Sequence, residues 1–267
     1  MTETDNITSY LQPPKLTYRV WKVWLRNWNV FMKTYKVNFF PPLLEPILYL
    51  LALGLGLGTI VQEIEGMTYI QFIAPALVAI SIMNSSFFEC TYASFVRMYY
   101  QKTFDAIITT PVNIEEVIAG ELLWGATRSL ISSAIVLAVV AAFGLITSPL
   151  AILIPALAFI GGLMFASMAM CFTAIAPNID FFNYPAFLFI TPMFLISGTF
   201  FPVTQLPYAA QVIALGVLPL TQTVNLTRGL IMGRLETILL YSLIWIVAVT
   251  PVFFILSINL MKRKLIK

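Results

Sequence analysis

From about residue 38 onward the chain is divided into long apolar runs joined by short polar connections. The runs are Phe39–Val61, Tyr69–Glu89, Val117–Phe143, Ala151–Ile175, Phe181–Phe201 and Thr237–Leu260. Each reaches the ~20 residues that a helix needs to cross ~30 Å of hydrocarbon. The runs are continuous rather than alternating. In lipid, where every backbone group must be satisfied internally, that selects helices over the strands of a closed barrel. The pattern predicts an all-α integral membrane protein with six transmembrane helices. A membrane domain over residues 38–261 lies between a polar segment, 1–37, and a short basic tail, 262–267.

Residues 16–36 carry a second pattern. Trp21, Trp24, Trp28, Phe31 and Tyr35 recur at steps of three and four, one stripe of an α-helix. Arg19, Lys22, Arg26 and Lys33 each stand two residues before an aromatic, about 200° around the same helix. An aromatic face opposed by a basic face is the signature of a helix lying in the interface, rings among headgroups and cations toward anionic lipid. Trp21, Trp24, Trp28, Arg19, Lys22 and Arg26 are its expected anchors.

Two connections are long enough to hold structure. In the stretch 90–116, a short helix at about 97–110 presents Phe104, Ile107 and Ile108 and stops before Pro111, a surface suited to docking or to membrane packing. Asn113 and Glu116 have the spacing of a reciprocal cap, which starts the third membrane helix. The stretch 202–235 is moderately apolar, yet Pro207 and Pro219 break it and Gln211, Gln222 and Asn225 make it too polar for a crossing. Two short helices at about 203–234 that dip into the membrane and return fit it better. Asn225-Leu226-Thr227 also matches a glycosylation acceptor by its three-residue pattern.

Composition agrees: 60% of residues are hydrophobic and 10% are charged. The basic residues Lys15 to Lys36, Arg97, Lys102 and Lys262 to Lys267 fall on one side of a six-span topology. The other side holds Arg228 and Arg234, while its loop 62–68 carries Glu63 and Glu65 and no base. The positive-inside rule then places both termini in the cytoplasm. The basic residues are accounted for by this topology, so no nucleic-acid partner is expected. Residues 1–37 lack an apolar core, so no cleavable signal peptide is expected. Two small-residue patterns, Gly54/Gly58 and Ala158/Gly162/Ala166, mark faces where helices can approach closely, within the chain or in a second copy.

Candidate chemistry is sparse. There is no histidine, and Cys90 and Cys171 read as buried free thiols rather than a disulfide or metal site. The ionisable residues in or beside spans are Glu45, Glu89, Glu121 and Arg128, too scattered for a catalytic constellation. Glu121 and Arg128 lie two helical turns apart on one face, open to an internal ion pair, a headgroup contact or a place along a substrate path. Gly54-Leu55-Gly56-Leu57-Gly58 lacks a following Lys-Ser/Thr and cannot cradle a nucleotide. Uphill transport would therefore draw on an ion gradient or on another chain. An ion-coupled carrier or channel would show carboxylates at helix breaks, of which Glu45 beside Pro46 is the sole hint. A membrane-bound enzyme is disfavoured by the missing catalytic groups.

The run Phe88-Glu89-Cys90-Thr91-Tyr92-Ala93-Ser94-Phe95, continuing through Arg97-Met98 to Thr103-Phe104-Asp105-Ala106, resembles the permease subunits of type-2 ABC exporters. With Gly120-Glu121-Leu122-Leu123-Trp124-Gly125-Ala126-Thr127-Arg128 it is similar to their nodulation-factor branch, which exports lipo-oligosaccharides. Ser197-Gly198-Thr199-Phe200-Phe201-Pro202 with Leu206-Pro207, and Pro219-Leu220-Thr221 through Arg228-Gly229, resemble the segments that follow the fifth helix in the wider superfamily. The resemblance spans about residues 15–262. It implies an interfacial N-terminal helix, a cytoplasmic coupling helix, two re-entrant outer helices, and a homodimer in the bacterial inner membrane. It also implies two separate ATPase subunits that bind the ATP and magnesium; no cofactor belongs to this chain. Lys102, Phe104, Asp105, Ile107 and Ile108 would seat on the ATPase. Phe39, Phe40, Tyr49, Phe194, Phe200 and Phe201, with Glu121 and Arg128, would line the path of an amphipathic glycolipid-like cargo; related sequences could export hydrophobic drugs.

Overall fold

The computed structural model describes residues 13–61, 63, 64 and 66–266. Glu65 and Lys267, used in the charge argument above, and the tail up to residue 12 lie outside the described residues. Helix α1 (Val20–Lys33) leads through Thr34 into α2 (Tyr35–Gly56). Helix α3 (Tyr69–Phe88) runs on without a break through two π-helical turns, Glu89–Ala93 and Val96–Tyr100. Then come α4 (Thr103–Ile108), α5 (Ile114–Ala142), α6 (Ile154–Ile175) and α7 (Ile179–Ile196), the last assembled from short helical pieces. Helices α8 (Tyr208–Val217), α9 (Pro219–Met232) and α10 (Thr237–Leu265) complete the chain. Among the described residues six helices are long and apolar enough to cross a membrane, and α8 and α9 meet at 81°. The described residues contain no strand beyond one isolated bridge, Ile64 to Met67.

The second span is longer than its apolar run, because the helix continues through the stretch expected as a loop. The expected helix at about 97–110 shrinks to the six residues of α4, and 97–100 belong to the end of α3. The sixth span likewise runs to Leu265 rather than Leu260, taking Lys262, Arg263 and Lys264 into its last turn, where cations suit the helix dipole. The cap of α5 forms as its spacing requires. Asn113 accepts from the Glu116 N–H at 2.8 Å, and the Glu116 carboxylate accepts from the Asn113 N–H at 2.9 Å.

Helices α3, α5 and α6 form the buried centre, while α2, α7 and α10 flank it with much of their surface uncovered. The Ala158/Gly162/Ala166 face of α6 meets α5 of the same chain. A Cβ on Gly162 would stand 1.7 Å from Ser129 Oγ, and Ser129 donates to the Ala158 carbonyl at 2.7 Å. The other small-residue pattern does not form a face. Helix α2 ends at Gly56, so Gly58 falls in the 3-10 turn beyond it, while Gly54 packs on Ile70.

The connections gather at two ends. At one, Lys15 and Arg19 reach Glu115 and the Pro111 carbonyl, and Lys264 reaches the Ala176 carbonyl. At the other, the Thr147 and Ser148 N–H groups both donate to the Ile231 carbonyl at 3.1 Å. The Asn225-Leu226-Thr227 pattern lies inside α9 with Thr227 fully buried, a place no glycan could occupy.

Candidate functional site

Helix α1 does not float beside the bundle. Val20, Val23 and Asn27 are buried against α5, where Gly120 leaves room: a Cβ there would stand 2.6 Å from Val23 Cβ. The tryptophans stack along the helix, Trp21 on Trp24 at 4.1 Å and Trp24 on Trp28 at 5.6 Å. Trp24 donates to Thr127 at 2.8 Å, and Trp28 and Phe31 meet Trp124 of α5 edge-on. Only part of the stripe therefore faces outward: Trp21 is exposed, whereas Trp24 and Trp28 are half-buried on the protein. Arg19 and Lys22 stay exposed or nearly so, while Arg26 turns inward to Asn27 and Thr103.

Behind Asn27 lies a buried charge network. The Glu121 carboxylate is fully buried and accepts from Arg97 Nη2 at 2.5 Å and Nε at 2.9 Å, from Asn27 at 2.8 Å and from Ser94 at 3.2 Å. Glu89 accepts from Arg97 Nη1 at 2.7 Å and from the Trp124 indole at 3.0 Å. Its other oxygen stands 3.4 Å from Arg128 Nε. Charged groups at membrane depth are expensive unless paired, and here one guanidinium is forked between two carboxylates. Eight residues of a regular α-helix overshoot two turns by about 80°. The π-turns unwind α3 and return Glu89 and Arg97 to one face. Burial pushes the Arg26 guanidinium down from its ordinary value, while the Glu121 carboxylate raises it and the like charge of Arg97 lowers it.

Glu121 and Arg128 do not pair with one another: seven residues set them two turns apart, and each takes its partner from α3. Glu121 is sealed inside the network, so it lines no path. Arg128 borders a cleft. Between α2, α3 and α5 opens a cleft of about 450 Å³, bordered by Arg128, Glu89, Asn84, Ser85, Glu45 and Tyr49. A neighbouring cavity of about 460 Å³ shares Arg128, Glu89 and Phe88 and extends to Arg26 and Phe31 of α1. A third, of about 230 Å³, shares Glu45, Tyr49 and Asn84 and reaches Phe187 and Phe194 of α7.

Pro41, Pro42 and Pro46 lie inside α2. Each removes the N–H that would bond the carbonyl four residues back, at Val37, Asn38 and Pro42. Those three residues all line the cleft.

The remaining expected path residues divide. Tyr49 and Phe194 line these cavities. Phe39 and Phe40 are exposed and line none of them, and Phe200 packs edge-on against Phe194 at 4.9 Å. Phe201 is half-buried outside the cleft. Asn84, Ser85 and the Glu89–Arg97 pair are the contributors that pattern reading missed.

Helix α4 differs from expectation in one residue. Phe104 is fully buried and anchors the helix to the bundle instead of facing a partner. Ile108 is 39% exposed and Ile107 half-buried, and Lys102 and Asp105 stand in solvent 4.0 Å apart. Lys102 takes φ 52, a left-handed backbone that turns the chain sharply out of α3 into α4. The outward surface of α4 is thus Lys102, Asp105 and Ile108, held at its base by Phe104.

The family model described as ABC-2 type transporter matches residues 18–232. Nodulation protein J of Rhizobium meliloti (strain 1021) is 38% identical over 247 residues, 91% of this chain and 92% of its own. Nodulation protein J of Bradyrhizobium diazoefficiens is 36% identical over 257 residues, 95% of this chain and 97% of its own. The inner membrane transport permease YadH of Escherichia coli (strain K12) is 25% identical over 192 residues, 69% of this chain and 72% of its own. No solved structure matches the chain.

Proposed function

The chain belongs to the ABC-2 type transporter family, and on that premise we propose that it is the permease subunit of an ATP-driven exporter for an amphipathic lipo-oligosaccharide or related glycolipid. The observation that carries this is the family match over most of the chain, joined to relatives named as a transport permease and as nodulation proteins. The chain has no phosphate loop, so the fuel is bound elsewhere: two ATPase subunits hold ATP and magnesium and dock on α4. Lys102, Asp105 and Ile108 form the docking surface, and Phe104 transmits its displacement into the bundle. Two copies of the chain associate through the flanking helices α2 and α7, which share the third cavity and leave much of their surface uncovered. The clustering of basic residues at one end supports an inner-membrane protein with both termini in the cytoplasm.

The cleft has a mixed lining, Arg128, Glu89 and Asn84 beside Tyr49, Phe88 and the prolines of α2. That favours a cargo with a polar head and an apolar tail over a uniformly apolar drug. The test is purification of the tagged chain from its native membrane. An ATPase subunit should accompany it, with hydrolysis that responds to the permease. Isolation without any ATPase chain, and hydrolysis indifferent to its presence, would remove the exporter reading.

A further inference from the structure

The cleft contains a cation that is ion-paired but has a buried donor with no hydrogen bond. Arg128 Nε is buried without a hydrogen-bond partner, 3.4 Å from a Glu89 oxygen. Its Cζ lies 5.0 Å from the Phe31 ring centroid, and the described residues give the guanidinium no further partner. Glu89 is already engaged by Arg97 and Trp124. Around this point three cations, Arg26, Arg97 and Arg128, face two carboxylates, Glu89 and Glu121. A guanidinium is a planar fork of donors that matches an oxyanion two bonds at a time, and it gains most where water is scarce.

We propose that Arg128 is the recognition residue for an oxyanion (phosphate, sulfate or carboxylate) on the polar head of an amphiphile bound in the cleft. The apolar part of that molecule lies along α2, where Pro41, Leu44, Leu48 and Leu53 form an almost wholly apolar trough continuous with the cleft through Tyr49. Two carboxylates border the cleft, Glu89, already held by Arg97 and Trp124, and Glu45. Glu45 stands in the same cleft and in the trough, exposed on α2 and outside the charge network. It fixes the sign of the test. Against an anionic head Glu45 repels, whereas for a neutral hydroxylated head it would serve as an acceptor. The proposal rests on the export reading and names the head chemistry of its cargo.

The experiment uses the full chain in dodecyl maltoside micelles, so a neutral sugar head is always present in excess. Dodecyl phosphate, dodecyl trimethylammonium and inorganic phosphate are titrated against it, with binding followed by tryptophan fluorescence, since Trp28 and Trp124 surround the network. Dodecyl phosphate should bind saturably and the trimethylammonium compound should not. Arg128→Gln should weaken binding at least tenfold, with Arg128→Lys in between, and Glu45→Gln should tighten it several-fold. Unchanged binding by Arg128→Gln, or weaker binding by Glu45→Gln, would overturn the proposal. Inorganic phosphate binding as tightly as dodecyl phosphate would overturn the amphiphile assignment. Should Arg128→Gln fail to fold, the sign of the Glu45→Gln effect decides alone. The measurement needs no ATPase, so its failure leaves the co-purification result standing, and the converse also holds.

Discussion

The two ends of the bundle solve the problem of polarity in an apolar medium differently. At the end holding α1 and α4, Glu89, Arg97, Glu121 and Arg128 are buried as paired charges that tie α1, α3 and α5 together. At the end holding α8 and α9, polar groups close mainly on backbone. Arg228 donates to the Gly198 and Phe72 carbonyls at 2.8 and 3.3 Å and lies 3.9 Å from the Phe72 ring centroid, and Gln222 donates to the Leu215 carbonyl while accepting from the Ser242 hydroxyl. The first arrangement joins α1, α3 and α5 through side chains, Asn27 reaching Glu121 across 94 residues of sequence. The second caps the bundle with bonds to fixed carbonyls. Power delivered at α4 would therefore enter where the helices are cross-linked by charge and leave the far end as the stationary lid.

Breaking the charged end should cost the most. Glu121→Ala leaves Arg97 forked onto one carboxylate and strands Asn27, so a loss of about 3–5 kcal/mol is expected, read as a lower unfolding midpoint in detergent. A loss below about 1 kcal/mol would mean that the network is not what fixes α1 to the bundle. At the opposite end, Arg228→Ala removes the two carbonyl bonds and the ring contact, with an expected cost of about 2–3 kcal/mol. Its effect in hydrogen exchange should centre on α9, the turn at Gly198 and the first turns of α3, whereas Glu121→Ala should loosen α1, α5 and the opposite end of α3 together. The smallest effect belongs to the local cap: Asn113→Ala should cost about 1 kcal/mol and fray the start of α5. Equal exchange patterns for all three variants would erase the distinction between the ends.

Much of this architecture was legible in the sequence because it rests on local pattern. The places of the six spans, the Asn113–Glu116 cap and the bend before Pro219 depend on residues within a few positions of one another. The charge network was hidden because two π-turns change the helical period between Glu89 and Arg97, so a 3.6-residue reading puts them on different faces. The period of α4 located Phe104, Ile107 and Ile108, but a six-residue helix cannot reveal which of its apolar residues the bundle covers. Likewise the Ala158/Gly162/Ala166 face was visible as a packing face, while its partner became clear only with Ser129 seated against Gly162. Arg128 was found as a candidate path residue, while its place beside a cleft became clear only with α2, α3 and α5 set side by side.

The most direct test of the account is site-specific cross-linking at α4 in intact membranes. In a background lacking Cys90 and Cys171, a cysteine at Ile108 should cross-link to an ATPase subunit, and one at Gln205, beside α8, should not. No cross-link at Ile108, or an ATPase captured from Gln205 instead, would contradict a permease driven through the exposed surface of α4.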